Sequence, residues 1–206
     1  MSSLRRRSPI KKYSRSFRRT NQHSFVLRKS IIDGIALTTG GSNPQGAVVI
    51  NPFDFGNFIN LTALYDQYKI NWCKVTLAPK FPSQLSTNVV AANYNAYLFT
   101  CLDYDSLANT LFSRQSIQEY RNCKTTRLTQ THTRTFKPSA VSSIDTISAT
   151  GGTAVNLLKR GGWFDMANPI DTYNMRYYLD LPSELPTTDL LYDIHVTMSI
   201  SCKNVR

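Results

Sequence analysis

The chain has 206 residues, of which 41% are hydrophobic and only 18% charged, and it includes 10 Phe, 11 Tyr and 2 Trp. That is enough apolar material for one sizeable core, so global disorder is excluded, and the length leaves little room for two full domains. The net charge of +11 sits at one end: residues 1–29 hold ten of the 24 Lys and Arg, and no acid occurs before Asp33.

Residues 1–23 (MSSLRRRSPIKKYSRSFRRTNQH) are rich in Arg and Ser and poor in aliphatics, so no packed structure is expected there. Charges this close repel one another, keep the segment extended and attract a polyanion. Arg5, Arg6, Arg7, Lys11, Lys12, Arg15, Arg18 and Arg19 are the candidate phosphate contacts. Guanidinium forks suit phosphate oxygens, and the interleaved Tyr13 and Phe17 are suited to stack on unpaired bases. No base-reading motif accompanies them, so backbone binding without sequence readout is expected. Two other readings share these residues. Ile10, Tyr13 and Phe17 lie at helical spacing in an acid-free, Arg-rich start, as in an organelle-targeting peptide, and Lys11-Lys12 with Arg18-Arg19 read as a nuclear import signal. No apolar stretch follows this arm and none nears the roughly 20 residues of a membrane span, so neither a secretory signal nor a membrane partner is expected.

From Ser24 to Arg206 the pattern is that of one β domain. Phe25, Leu27, Ile31, Ile35 and Leu37 alternate with mostly polar residues, and Gly40-Gly41-Ser42-Asn43-Pro44 then reads as a loop. Residues 68–78 (YKINWCKVTLA) predict a strand with Cys73, Val75 and Leu77 on one face and Trp72, Lys74 and Thr76 on the other. Residues 92–103 predict a third, aromatic on both faces, and 122–128 and 131–137 two polar, Thr-rich ones. Residues 171–181 and 190–202 complete the set. In the last, Ile194, Val196, Met198, Ile200 and Cys202 point inward and Asp193, His195, Thr197, Ser199 and Ser201 outward. Two short helices are predicted, over 57–66 and 113–120. Six or more strands with long connections make an all-β sandwich or barrel. Two aromatic, Pro-bounded connections, 51–58 (NPFDFGNF) and 161–169 (GGWFDMANP), offer Phe53, Phe55, Trp163 and Phe164 as intersubunit anchors. The bland alternative is that they fold back and cap their own sandwich.

Chemistry-bearing motifs are scarce. There is no phosphate-binding loop, nucleophile elbow or zinc-protease signature, so no enzymatic activity, catalytic residue or cofactor is expected. Cys73, Cys101, Cys123 and Cys202 are too far apart for a zinc half-site and read as reduced core thiols, so no metal is expected. Asp103 and Asp105 form the best carboxylate pair, but read as a solvated strand end, and His195 reads as a surface residue of the last strand. Gly151-Gly152 and Gly161-Gly162 read as turns.

Three segments carry a family resemblance. LYDQYKINWCKVTLAP (64–79), TRTFKPS (133–139) and LLYDIHVTMSISC (190–202) resemble, in order, strands of the coat proteins of small circular single-stranded DNA viruses, the circovirus-like group. The resemblance implies a single eight-stranded jelly roll of two four-stranded sheets. It implies self-assembly of about 60 copies into a small icosahedral (T=1) shell. The arm would point inward to a packaged single-stranded DNA genome, in the virion and, during infection, the host nucleus. Host import receptors and a cell-surface receptor are further implied partners. About 60 such arms bring on the order of 600 positive charges to the interior. Two alternatives remain at this level: a coat protein of an RNA satellite-type virus, since phosphate contacts carry no sugar information, or a cellular β-sandwich behind a targeting arm.

Overall fold

The computed structural model describes residues 22–36, 43–80, 96–103, 113–145, 154–168, 172–180 and 191–205. They form two antiparallel sheets. The first is built on the two longest sequence patterns, β3 (Tyr65–Lys80) and β11 (Leu191–Val205), which pair along nearly their whole length. β1 (Gln22–Ala36) adds to the far edge of β11, and β6 (His132–Phe136) to the far edge of β3. The order is therefore β1-β11-β3-β6.

The second sheet is centred on β10 (Thr172–Asp180). One edge of β10 takes β2 (Gln45–Ile50). The other takes β4 (Tyr97–Leu102), which in turn pairs β5 (Lys124–Arg127). β7 (Ser139–Asp145) meets β10 over two residues and forms a hairpin with β8 (Ala154–Arg160), and β9 (Phe164–Asp165) is a two-residue addition to β3. The framework is two four-stranded sheets, β1-β11-β3-β6 and β2-β10-β4-β5, which is jelly-roll connectivity. Three further short strands, β7, β8 and β9, enlarge the connection between β6 and β10, so eleven strands are present among the described residues where eight are implied.

The register explains the core. Ile194, Val196, Met198, Ile200 and Cys202 are all buried between the sheets, as the period-two pattern requires. Each such aliphatic contributes about 1.5–3 kcal/mol. β3 changes parity on the way. Tyr68 and Ile70 face the core at even positions, and Cys73, Val75 and Leu77 at odd ones. The switch is a bulge: Ser199 pairs Trp72 and Ile200 pairs Ile70, so Asn71 is the extra residue. Its amide donates to Ser201 Oγ at 2.9 Å. That contact helps to bury Ser199 and Ser201, which alternation alone assigns to solvent.

Local chemistry sets the other elements. Pro52 opens a 3-10 turn (Pro52–Asp54), with Asn51 Oδ1 accepting from the Phe53 backbone N–H. α1 (Phe58–Thr62) follows and buries Phe58 and Leu61. α2 (Arg114–Gln118) starts with a Ser113–Ser116 capping box and buries only Ile117. Both helices fall where the sequence places them, each shorter by several residues. The third predicted strand, 92–103, contains β4, and its residues 92–95 lie outside the described residues, as does Gly151-Gly152. β1 begins at Gln22, two residues before the expected domain start.

Candidate functional site

All eight candidate phosphate contacts of the arm, together with Tyr13 and Phe17, lie outside the described residues. What is described is where the arm joins the body. Gln22 pairs with Lys203, so the arm leaves from the end of the sheet that carries the last residues of β11. There Lys203 Nζ stands 4.5 Å from the centre of the Trp163 ring.

The four candidate anchors separate into two classes. Phe55 and Phe164 are buried within their own subunit, Phe164 against Tyr68 at a ring separation of 5.6 Å. Their burial within one subunit is what the alternative of connections folded back on their own sandwich expects. The two Phe at the Pro52 turn differ sharply in exposure, Phe55 being buried at its C-cap. Phe53 stays 48% exposed, edge-on to Phe58. Trp163 is half-buried beneath Lys203. Further exposed apolar residues lie in or beside the Phe53 connection in sequence: Val49 near the end of β2, and Ile59 and Leu64 after the Pro52 turn. Lys29 of β1 is tied to this connection by an ion pair with Asp54 at 3.1 Å.

Two buried polar clusters escaped the sequence reading. Asp103 is not a solvated strand end: its carboxylate accepts from Arg176 Nε at 2.7 Å, and both side chains are 2% exposed. Tyr120 hydroxyl also donates to it at 3.4 Å. The pair clamps the end of β4 to its neighbour β10, where Arg176 sits opposite Cys101. The only available signal was an Arg embedded in the apolar run of β10.

The second cluster is His132, which is fully buried. Nε2 lies 2.7 Å from Thr100 Oγ1 and Nδ1 2.6 Å from Thr126 Oγ1. It thus bonds β6 of one sheet to β4 and β5 of the other. Burial pushes its pKa down to about 4, and Lys124 and Arg134 add repulsion. With both ring nitrogens held by hydroxyls, it acts as a structural bridge. His195 is exposed, as expected, with Nδ1 2.9 Å from Ser30 Oγ.

The four cysteines are free thiols, three of them buried. Burial pushes Cys73 and Cys101 up to about 12 and Cys202 up to about 11, so these thiols stay protonated and unreactive. Among the described residues no group of His, Cys, Asp and Glu is arranged to hold a metal.

Comparison with known proteins places this fold. The family model described as Circovirus capsid protein matches residues 2–206. No curated protein matches the sequence. The crystal structure of the 60-mer BFDV capsid protein is similar at a TM-score of 0.67 and 13% identity, over 90% of this chain and 95% of that one. The decameric BFDV capsid protein gives 0.58 at 12% identity, over 89% and 99%. Tobacco necrosis virus gives 0.53 at 11% identity, over 90% and 97%. At these identities the structural likeness carries the fold, and the family model carries the family.

Proposed function

The chain belongs to the circovirus capsid protein family, and from that premise we propose that it assembles into a small closed shell and packages single-stranded DNA through its basic arm. Its capsid role makes it a component of the virion, and the family match replaces the alternative of a cellular sandwich behind a targeting arm. The observation that carries the packaging reading is the charge distribution. Ten cations precede the first acid, and they adjoin an otherwise balanced body with 14 Lys and Arg against 13 Asp and Glu. A nearly neutral body lets identical subunits approach one another, while the arms exchange counterions with a polyanion.

The 60-mer and decamer of the BFDV capsid protein support a homo-oligomer. Phe53 is the anchor proposed for contact between subunits, as the exposed aromatic of a connection rich in exposed apolar groups. Nuclear entry through the Lys11-Lys12 and Arg18-Arg19 doublets belongs to the same reading. Arg-rich arms that bind phosphate also suit import receptors, which would bring the protein to the host nucleus.

Removing residues 1–21 tests the proposal. The body keeps its strands, because the deleted segment precedes β1. Binding to single-stranded DNA should fall sharply and lose most of its salt dependence. Unchanged affinity in the same assembly state would move the site to the body and overturn the arm's role. Digesting the nucleic acid of purified particles with DNase or RNase then distinguishes the two sugars.

A further inference from the structure

We infer that the outward face of sheet β1-β11-β3-β6 is a second binding surface for single-stranded nucleic acid, continuous with the arm and carried by Arg28, Lys69, Lys74, Lys137, Lys203 and Trp72. The inference rests on the packaging reading above and names where on the folded body the strand lies.

The register places these residues on one surface. With Val196, Met198 and Cys73 turned to the core, their neighbours in sequence turn outward. One outward row runs Arg28–Thr197–Lys74–Thr135 across the four strands. The next runs Ser30–His195–Thr76–Thr133, and on the other side Val26–Ser199–Trp72. Lys69 and Lys203 lie further along β3 and β11, beyond the Asn71 bulge, and Lys137 follows the outward end of β6. Gly161 draws these ends together. It is in the left-handed region at φ +66°, and a Cβ there would come within 2.6 Å of Lys137 Nζ and 3.9 Å of Lys69 Cε.

Three properties suit a nucleic-acid strand. First, among the described residues the cations face no carboxylate, Lys203 standing instead over the Trp163 ring. Among the described residues none of the five forms an ion pair, whereas Lys29, Lys80 and Arg114 each face a carboxylate. Second, the exposed or half-buried hydroxyls of Ser30, Thr76, Thr133, Thr135 and Thr197 stand among them, and such groups donate to phosphate oxygens. Third, Trp72 is 37% exposed in the middle of the face, a large aromatic that neither buries into the core nor has an apolar neighbour in its row except Val26. Stacking of a base on it accounts for its exposure. Both tryptophans of the chain lie on or beside this face, Trp163 beneath Lys203. The arm supplies continuity: it joins the body at Gln22, directly opposite Lys203.

The test uses the full-length protein and a fluorescein-labelled oligothymidylate, with sedimentation confirming the same assembly state throughout. One variant carries Arg28→Gln, Lys74→Gln and Lys203→Gln; a second carries Arg5→Gln, Arg6→Gln and Arg7→Gln, an equal loss of charge. Three lost phosphate contacts lower affinity about 100-fold at 0.1 M salt and reduce the slope of log K against log salt by about two. The inference expects that loss from both variants. It also expects the oligonucleotide to quench the tryptophan fluorescence of the wild-type protein, and Trp72→Phe to remove most of that quench. A face variant with wild-type affinity and slope, beside an arm variant that loses both, overturns the inference and leaves the packaging reading standing. Wild-type slopes in both variants overturn the two together. A face variant that binds normally but forms no particles assigns the face to a second copy of the chain, and overturns the inference as well.

Discussion

Acid should weaken the subunit through His132, and the amount follows from its surroundings. The ring is fully buried between Thr100 and Thr126, and its pKa is pushed from 6.5 down to about 4 by burial first, then by Lys124 and Arg134. In the unfolded chain the imidazole protonates near pH 6.5. Between the two values the unfolded state binds more protons, so the contribution is complete above about pH 6.5 and drains away as pH falls towards 4. At 1.36 kcal/mol per pH unit, the gap amounts to about 3 kcal/mol. Urea melts followed by circular dichroism, on dissociated subunits of the wild type and His132→Gln between pH 7.5 and 4, measure it. Carboxylates titrate alike in both proteins, so the difference between them is the readout. The variant should start less stable and lose less, closing its gap with the wild type by about 3 kcal/mol. A difference that stays constant across the range would refute the reasoning.

Further outcomes follow from the core and from the connection that carries Phe53. Val196→Asp places a carboxylate in the core of β11 and should unfold the subunit at a cost of several kcal/mol, while Thr197→Asp, on the outward face, should leave it folded; matched thermal melts with the opposite ranking would mean a register error of one residue. Arg176→Met strands the Asp103 carboxylate and should cost about 3–5 kcal/mol, whereas removing both partners as Asp103→Leu with Arg176→Met should recover much of that loss; a double variant no better than the single one would show that the pair is not coupled. Phe55→Ala should cost about 3–5 kcal/mol in subunit stability. Phe53→Ala should leave the subunit's melting temperature near that of the wild type but weaken assembly, and particle formation unaffected by it would remove Phe53 as an anchor.

Much of the first sheet was readable because its strands are long and one-sided. β11 alternates without interruption, and every residue of the inward set it predicts is buried, although Ser199 and Ser201 of the outward set are buried as well. β3 was readable only after the bulge. No sequence period marks Asn71 as an inserted residue, so the even-numbered Tyr68 and Ile70 do not announce their side. The Thr-rich pair β5 and β6 was visible as two strands on either side of a short link. That they enter different sheets depends on which neighbours receive them, β4 and β3, and proximity in sequence says nothing of that. The Asp103–Arg176 pair was hidden for the same reason: a lone Asp at a strand end looks solvated until a distant strand brings its partner. Aromatic loop residues marked the segments but not which side chains are buried: at the Pro52 turn Phe55 is buried and Phe53 is not. The arm's charge is read from composition alone, and its residues lie outside the described ones.

The most direct measurement is of assembly with nucleic acid. Purified full-length protein, examined by electron microscopy and sedimentation with and without single-stranded DNA across a range of salt, should form closed particles of uniform size. Their nucleic acid should be sensitive to DNase once released, and their formation should be suppressed when residues 1–21 are removed or salt is raised. Protein that stays monomeric at high concentration under every one of these conditions would contradict the account.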